Sequence, residues 1–410
     1  MHRYGFTKIL IDPLPKARDE AAGALTEGGT GTQETVLALI YYVTQVQFDF
    51  GALALVRSEC ERVGIRRPLI CTDRGVVAAG LLDRLKAALG DMPFAVFAET
   101  PSTPPAAAVL TAVDAYPAHG ADGLLARGGG CPIDLAKGVA IMATHTGVLA
   151  DYATILGGSP KITPAVSPLI AIPTTAGTGS EVARGAIIIL NDGRKLGFHS
   201  WHLVPKTAIC DPELTFGLPP RLTAATGMDA VAHCVETFLS KAVNPPADAI
   251  AHDGLVRALK HVDRAVNQPT DREARWNMMS ASMQGAMAFQ KGLGAVHSLS
   301  HALGALPIGP HHGTLNAVLL PEVLKFNEAA VPDKVQAIAE VFGVRGGTAL
   351  ATAVRDLNRR LGLPAGLGDM GIGPELYDDI ATQAMKDHCH GTNPRIASHG
   401  DYVAMLAASA

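Results

Sequence analysis

Short apolar segments alternate with longer helix-like segments between about residue 41 and residue 220 of this 410-residue chain. The apolar segments read RPLICTD, FAVFAE, GLLARGGG, PLIAIPTT, GAIIILN and TAICD, and stretches such as AAGLLDRLKAAL and PIDLAKGVAIMATH separate them. Strands that are apolar throughout are buried on both faces, and their alternation with helices is typical of a parallel, doubly wound sheet. We therefore predict an α/β fold for this part of the chain.

The pattern changes after DPELTFGLPPRLT, where the short apolar segments stop. Apolar residues then recur at three-to-four spacing, which predicts a mainly helical second half. A chain of this length exceeds one ordinary hydrophobic core, so we expect two domains. The predicted organisation is an N-terminal extension (1–40) whose structure the sequence does not indicate, an α/β domain (41–220) and an all-α domain (221–410).

Composition excludes several classes of protein. The net charge of −4 and the lack of a basic stripe argue against a nucleic-acid partner. No apolar window approaches the length of a membrane span, and the N-terminal residues do not resemble a secretion signal. The six cysteines show no CxxC spacing, which suits reduced thiols. We therefore predict a cytoplasmic protein with no membrane or nucleic-acid partner.

Two glycine-rich loops follow two of the predicted strands. The first contains Gly128, Gly129 and Gly130 before a helix, and the second reads TTAGTGSE at 174–181. Glycine lets backbone N–H groups approach a phosphate, and ligands of open α/β sheets lie outside the carboxyl ends of the strands. The pair of loops predicts a nucleotide site, although either loop alone could serve only as a turn.

Asp73 ends the predicted strand RPLICTD. A carboxylate at this place can accept hydrogen bonds from an adenosine ribose and would repel the 2′-phosphate of NADP. It can equally be the N-cap of the helix that follows. The sequence leaves both interpretations open.

Acidic and histidine side chains recur at helical spacing in the second half. Asp229 and His233 are four residues apart, as are His297 and His301, and a further pair follows at 311–312. Residues four apart share a helix face, and a carboxylate with several imidazoles is the ligand set of Zn²⁺ or Fe²⁺. A single histidine is usually a core or surface residue, but a cluster in apolar helices indicates a shared metal. His388 and His390 are less favoured as ligands, because alternate residues of a helix face opposite ways.

The segments GGGCPIDLAK, PTTAGTGSE, TGMDAVAHCVE and HHGTLNAVLLP resemble those of the iron-containing (group III) alcohol dehydrogenase family. The resemblance extends from about residue 41 to residue 410, including TNPR at 392–395, and does not cover the first 40 residues. It implies a dinucleotide-binding α/β domain, an all-helical domain, and a metal and nicotinamide in the cleft between them. A homodimer or larger oligomer is also implied.

By motif match, the implied metal ligands are Asp229, His233, His297 and the histidine that precedes Gly-x-x-Asn. His312 satisfies that pattern, but its spacing from His297 is one residue longer than expected, so His311 stays an alternative. The metal would be Fe²⁺, with Zn²⁺ as the alternative. His301 matches a histidine close to the nicotinamide. We predict that it is catalytic and relays the hydroxyl proton; a packing role is the alternative.

The resemblance also implies a set of NAD-binding residues, with NADP as the alternative cofactor. Cys131 departs from the family motif, which carries serine there. A thiol is a weaker hydrogen-bond donor than a hydroxyl, so we expect the cofactor to bind through backbone contacts, with lower affinity. The set consists of Asp73, Gly129, Gly130, Asp134, Thr174, Thr175, Thr178, Lys195 and Leu214.

The implied activity is hydride transfer between NAD(H) and a small alcohol, aldehyde or ketone whose oxygen the metal polarises. A maleylacetate-reductase-like enzyme and, more distantly, a dehydroquinate-synthase-like lyase are alternatives, as is an inactive protein that binds metal or nucleotide. Simple alcohols, diols, 4-hydroxybutyrate-like acids and phosphonate aldehydes all remain open as substrates.

Overall fold

The structure is a computed structural model that describes residues 44–410. The extension predicted for residues 1–40 lies outside the described residues. Across residues 44–410, every helix is too short or too polar to cross a membrane.

The first half of the described chain contains all of its strands. The strands are β1 (Gln45–Phe48), β2 (Pro68–Cys71), β3 (Ala95–Phe97), β4 (Gly123–Gly128), β5 (Leu169–Pro173), β6 (Gly185–Ile189), β7 (Lys195–His199) and β8 (Thr207–Cys210). Six of them form one parallel sheet in the order β1-β8-β5-β4-β2-β3. This sheet confirms the predicted α/β class. The helices of this half are α1 (Val56–Val63), α2 (Arg74–Ala78), α3 (Leu81–Leu89), α4 (Ala106–His119) and α5 (Gly130–Met142).

The central strands are buried on both faces, as their unbroken apolar sequences predict. In β4, Leu124 and Ala126 face the core formed with α4 and α5, whereas Leu125 faces the core formed with α1 and α3. Side chains alternate across a strand, so one apolar segment supplies both cores. The two cores hold the sheet between two layers of helices.

One predicted strand lies outside the parallel sheet. The segment GAIIILN forms β6, which pairs antiparallel with β7 in a separate two-stranded sheet. The prediction that this strand belongs to the doubly wound sheet was wrong, because an apolar segment indicates a strand without indicating its partner. The tight turn between the two strands decides the pairing instead.

The second half of the described chain is helical, as predicted. Its helices are α6 (Pro220–Leu239), α7 (Pro245–Asn267), α8 (Arg272–Ala288), α9 (Ala295–Leu303), α10 (His312–Glu328), α11 (Pro332–Val341), α12 (Gly347–Arg360), α13 (Tyr377–Ala384) and α14 (His399–Ala408). α6 begins at Pro220, where proline is favoured, and its buried face is covered by neighbouring helices. The exact domain boundaries stay predictions.

The carboxyl ends of β4 and β5 lie next to each other and next to this helical part. Gly128 pairs with Pro173 at the end of the two strands, so the glycine-rich loops leave the sheet together. Gly179, in the second loop, has a φ of +61°, and a Cβ there would lie 2.1 Å from the Cβ of Ala286 on α8. Only glycine permits this approach, which brings the loop against the helices.

Candidate active site

Three predicted ligands, Asp229, His233 and His297, place ligand atoms within 4.8 Å of one another in the helical half, and the fourth, His312, lies beside Asp229. Asp229 and His233 lie one turn apart on α6, His297 lies on α9, and His312 is the first residue of α10. The Oδ1 atom of Asp229 lies 3.8 Å from Nε2 of His233, 4.0 Å from Nε2 of His297 and 3.7 Å from Nε2 of His312. The three imidazoles therefore direct the same ring atom toward one carboxylate.

Hydrogen bonds at the far side of two rings determine their tautomers. Nδ1 of His297 lies 2.5 Å from Oε2 of Glu236, and Nδ1 of His233 lies 3.2 Å from the carbonyl oxygen of Gly177. Both partners are acceptors, so each Nδ1 carries the proton and each Nε2 presents a lone pair. This carboxylate–histidine arrangement is the usual support of a metal-binding imidazole.

The amide of Asn316 contacts three of these four side chains. Its Nδ2 donates to Oδ1 of Asp229 at 2.7 Å and lies 3.2 Å from Nε2 of both His297 and His312. One amide nitrogen thus faces a carboxylate oxygen and two imidazole ring nitrogens. A carboxylate with three imidazole nitrogens is the donor set of a divalent transition metal, so the residues present fit such an ion.

The structure distinguishes the two adjacent histidines at the start of α10. His312 faces Asp229, whereas His311 is exposed, and its Nδ1 lies 3.5 Å from the hydroxyl of Thr314. Burial lowers the pKa of His311, His312 and His233 alike, which keeps these imidazoles neutral as metal ligation requires, so position and not protonation separates the two adjacent histidines. The geometry favours His312 over His311 as the fourth ligand.

His301 lies beside this cluster on α9. Its ring stacks on that of His312 with a centroid separation of 5.5 Å, and its Nδ1 donates to Oδ2 of Asp387 at 3.0 Å. Burial, which Asp387 only partly offsets, lowers the pKa of His301 to about 4. His301 is therefore neutral near pH 7, with an unprotonated Nε2 that can accept a hydrogen bond.

The two glycine-rich loops are in contact with each other. A Cβ on Gly129 would lie 3.3 Å from Oγ1 of Thr175, and a Cβ on Gly130 would lie 2.9 Å from Cγ2 of Thr178. Gly130 is also the first residue of α5, so the threonine hydroxyls lie close to a helix N-terminus. Hydroxyls, backbone N–H groups and a helix dipole at one place are suited to a phosphate.

Asp73 is the N-cap of α2, where its Oδ1 accepts from the backbone N–H of Val76 at 2.8 Å. Of the two roles that the sequence left open for Asp73, the structure shows the N-cap. Oδ2 lies 3.2 Å from the position that a Cβ on Gly128 would occupy. The cap thus uses one carboxylate oxygen and leaves the other beside the first glycine-rich loop.

The other predicted cofactor residues lie around the same edge of the sheet. Asp134 on α5 accepts from the Ser180 hydroxyl at 2.6 Å and from the Ile187 N–H at 3.0 Å, which joins α5 to the second loop and to β6. Thr174 donates its N–H to the Gly128 carbonyl at 2.9 Å. Lys195 is the first residue of β7, and Leu214 is buried in a short 3-10 turn after β8.

Cys131 is the second residue of α5. Its Sγ donates to the carbonyl oxygen of Ser102 at 2.7 Å, and burial raises its pKa to about 12. The thiol is therefore protonated and engaged with the backbone. The predicted weakening of cofactor binding by this cysteine stays a prediction.

A cavity of about 420 Å³ joins the two groups of residues. Its wall includes Thr178 and Lys195 from the α/β half and Asp229, His297 and His301 from the helical half. The predicted cofactor loops and the predicted metal ligands therefore open into one space.

Sequence reasoning missed three side chains that orient this site. Glu236 holds His297, Asp387 holds His301, and Asn393 accepts from the backbone N–H of Ala295 at the start of α9. Glu236 did carry a signal, because it lies on the same face of α6 as Asp229, seven residues on. Asp387 and Asn393 carried no comparable local signal.

His388 lies on the cavity wall, contrary to the reasoning from helix faces. α13 ends at Ala384, so His388 and His390 are not on an α-helix. His388 stacks on His301 at a centroid separation of 5.5 Å, whereas His390 contacts the hydroxyl of Tyr402 at 2.9 Å. Only His388 of this pair is close to the site.

Comparison with known proteins decides the family. Residues 43–212 match the family model described as iron-containing alcohol dehydrogenase, and residues 223–410 match the C-terminal model of the same family. The chain belongs to the iron-containing alcohol dehydrogenase family. The resemblance inferred from its motifs is thereby confirmed, and the chain is an oxidoreductase of this family.

Several members of the iron-containing alcohol dehydrogenase family are similar over most of their length. A 4-hydroxybutyrate dehydrogenase of Cupriavidus necator is 60% identical over 381 residues, which cover 91% of this chain and 100% of that protein. The crystal structure of a 1,3-propanediol oxidoreductase is 33% identical with a TM-score of 0.85, covering 91% and 100% of the two chains. A sulfoacetaldehyde reductase of Bifidobacterium kashiwanohense, solved in complex with NAD⁺, is 28% identical with a TM-score of 0.83, covering 91% and 99%.

Proposed function

We propose that the protein is an NAD(H)- and metal-dependent dehydrogenase that interconverts a short ω-hydroxy acid, of the 4-hydroxybutyrate class, and its aldehyde. The observation that carries the proposal is the shared cavity. It is lined both by the Gly130–Thr178 contact and by the donor group around Asp229. The 60% identity to a 4-hydroxybutyrate dehydrogenase supports the substrate class.

Asp229, His233, His297 and His312 would hold the divalent cation. When bound, the cation would supply Lewis-acid polarisation of the alcohol oxygen and the dinucleotide would supply the hydride acceptor. Glu236 keeps the His297 proton on Nδ1, and Gly177 does the same for His233, so both Nε2 atoms stay available. Fe²⁺ is proposed as the ion, with Zn²⁺ as the alternative, because the same donor set accepts either.

His301 is the proposed acceptor of the hydroxyl proton. Asp387 holds its Nδ1 proton, so the unprotonated Nε2 is the atom that can receive a hydrogen bond from the substrate. The side chain is 10% exposed, which limits the access of water to it. Asp387 acts by positioning the ring.

Asp73, Gly129, Gly130, Thr175 and Thr178 are the proposed contacts of the dinucleotide. The threonine hydroxyls face the glycines, and the free Oδ2 of Asp73 lies beside the same loop. That carboxylate would repel a 2′-phosphate, which favours NAD over NADP. The predicted cytoplasmic location and homo-oligomeric state belong to the same proposal.

The direct test is NADH formation from 4-hydroxybutyrate and NAD⁺ by protein loaded with Fe²⁺ or Zn²⁺. We expect Asp229→Ala to lose both the bound metal and turnover, while Asp333→Ala, at an exposed position on α11, keeps both. Turnover by chelator-treated Asp229→Ala protein would contradict the proposal and favour a maleylacetate-reductase-like activity. Absence of net NADH with every alcohol would favour a lyase or an inactive binding protein.

A further inference from the structure

The cavity continues beyond His301 to a second group of polar side chains. His388 stacks on His301 at a centroid separation of 5.5 Å, and the ring of His199 lies 4.8 Å beyond that of His388. All three residues line the cavity, as does Arg184. We call Arg184 and His199 the distal pair. His388 lies between His199 and His301.

Two glycines of the β6–β7 hairpin create the space for the His199 ring. Gly185 on β6 pairs directly with His199 on β7, and a Cβ on Gly185 would lie 2.8 Å from Cδ2 of His199. A Cβ on Gly197 would lie 2.5 Å from Cε1 of the same ring. Any larger residue at either position would displace the imidazole, so the hairpin determines where the ring lies.

Thr154 determines the tautomer of His199. Its Oγ1 accepts from the backbone N–H of His199 at 2.9 Å and from the Ser159 hydroxyl at 3.1 Å. With both lone pairs used, the Thr154 hydroxyl donates its own proton to Nδ1 of His199, 3.0 Å away. The proton of His199 is therefore on Nε2, which has no hydrogen-bond partner among residues 44–410.

Burial, and next the neighbouring His388 and Arg184, lower the pKa of His199 well below its usual value. The ring is consequently neutral, and a neutral imidazole with its proton on Nε2 donates one hydrogen bond from that atom. The distal pair thus offers a directed N–H group on the cavity wall. Among residues 44–410, no hydrogen-bond acceptor contacts this N–H group.

Arg184 gives the distal pair a positive charge. Its guanidinium lies 4.7 Å from the centroid of the Trp201 ring and, among residues 44–410, has no carboxylate within ion-pairing distance. Lys291, on the wall of the same cavity, is in contrast paired with Asp248. A half-buried cation without a counter-ion is costly, so an anionic ligand would stabilise it.

We propose that Arg184 and His199 bind the distal carboxylate of the ω-hydroxy acid and so select this substrate over an uncharged alcohol. The inference rests on the proposed function and names the two residues that would select the acidic substrate. Asp387, an acidic side chain 3.6 Å from Nδ1 of His388, is engaged by His301 at 3.0 Å. The carboxylate therefore docks at one end of the cavity, and the hydroxyl reaches His301 and the metal ligands at the other.

The spacing suits a short aliphatic chain. The imidazole of His388 fills the interval between His301 and His199, so the substrate's methylene groups would lie along one aromatic ring. An arginine and a directed N–H group together provide charge-assisted hydrogen bonds to a carboxylate. A hydroxyl or methyl group at the same end of the substrate would leave the guanidinium without its counter-ion.

The test compares kcat/KM for 4-hydroxybutyrate with kcat/KM for 1-butanol, which has the same chain length and no charge. The variants are His199→Phe, which keeps a ring between the two glycines, and Arg184→Gln. Loss of one hydrogen bond to a charged group lowers binding about tenfold or more. In both variants we expect kcat/KM for 4-hydroxybutyrate to fall about tenfold or more, whereas kcat/KM for 1-butanol should change less than about threefold.

The control is His202→Phe, which makes the same replacement three residues away and off the cavity wall. It should leave both values unchanged. Equal losses for the two substrates in His199→Phe and Arg184→Gln would overturn the proposal, because a packing role predicts no discrimination.

A binding measurement separates this inference from the proposed function. Butyrate carries the carboxylate without a hydroxyl, and its affinity is measured by calorimetry in the presence of NADH. Wild-type protein should bind it about tenfold more tightly than His199→Phe. If no alcohol is oxidised, the proposed function fails, and this result still decides the inference: equal butyrate affinities would overturn it.

Discussion

Glu236 contacts both the imidazole of His297 and the first turn of α9, the helix that carries this histidine. Its Oε2 lies 2.5 Å from Nδ1 of His297, and its Oε1 accepts from the backbone N–H of Val296 at 2.7 Å. A carboxylate is favoured at the N-terminus of α9, where unpaired N–H groups and the helix dipole attract negative charge. One side chain on α6 therefore sets both the position and the tautomer of a proposed ligand on α9.

We expect Glu236→Gln to lower metal affinity about 10- to 100-fold, because the amide cannot hold the His297 proton on Nδ1 as firmly. Metal content after dialysis against graded chelator measures the change. Glu322→Gln is the control, since Glu322 is a buried carboxylate on α10 that contacts Arg355 and Lys325 and not the histidines. Equal metal retention by wild type and Glu236→Gln would show that the contact serves only the fold.

Gly130→Ala should weaken NADH binding about tenfold, since its Cβ would overlap Cγ2 of Thr178 and separate the two loops. Fluorescence titration with NADH provides the measurement. Thr178→Ser in the same chain removes that methyl group and should recover part of the affinity. Gly217→Ala, at a position with no heavy atom within 4 Å, is the neutral control. Unchanged affinity in Gly130→Ala would place the nucleotide elsewhere.

Glu181 makes stability depend on pH. Burial raises its pKa from 4.5 to about 7, so the folded state binds this proton more tightly than the unfolded state does. The carboxyl therefore destabilises the fold increasingly as pH rises from about 4.5 to about 7. Between pH 5 and pH 8, wild type should lose about 2 kcal/mol of unfolding free energy relative to Glu181→Gln.

Urea unfolding of both proteins at the two pH values measures this difference. The gain of Glu181→Gln should be small at pH 5 and large at pH 8. A difference that is the same at both values would mean that the carboxyl titrates normally in the folded protein.

Arg127 is a buried cation in the middle of the sheet. It is 0% exposed, and none of its three side-chain nitrogens has a hydrogen-bond partner among the described residues. Replacement by methionine removes the cost of burying this charge, so we expect Arg127→Met to raise the unfolding free energy by about 1–3 kcal/mol. Chemical unfolding without nucleotide tests this, with the exposed Arg66→Met as control. A less stable Arg127→Met protein would contradict it.

The fold was predictable where the apolar pattern is local. Uninterrupted apolar segments correctly indicated the central strands, because burial on both faces removes polar alternation. The β6–β7 hairpin was misassigned, since strand pairing depends on the turn and not on the segment itself. β7, with Lys195 and His199 at its ends, has too little apolar character to be recognised.

The candidate site, like the fold, was predictable only where it depends on residues close together in sequence. Asp229 and His233 are one helical turn apart, so their convergence follows from local geometry. Asp387 is 86 residues from His301 in sequence and Glu236 is 61 residues from His297, and only the folded chain brings these pairs together. His199 and Arg184 carry no motif, and the glycines that admit the imidazole become meaningful only once the hairpin is formed.

The carbonyl of Gly177 accepts from His233, while Thr175 and Thr178 on either side of it face the glycines of the first loop. A single short peptide thus touches both proposed binding partners of the enzyme. Thermodynamic linkage then requires reciprocity: the factor by which the bound dinucleotide changes the affinity for the cation is the factor by which the cation changes the affinity for the dinucleotide. Occupancy of the two sites should accordingly rise and fall together.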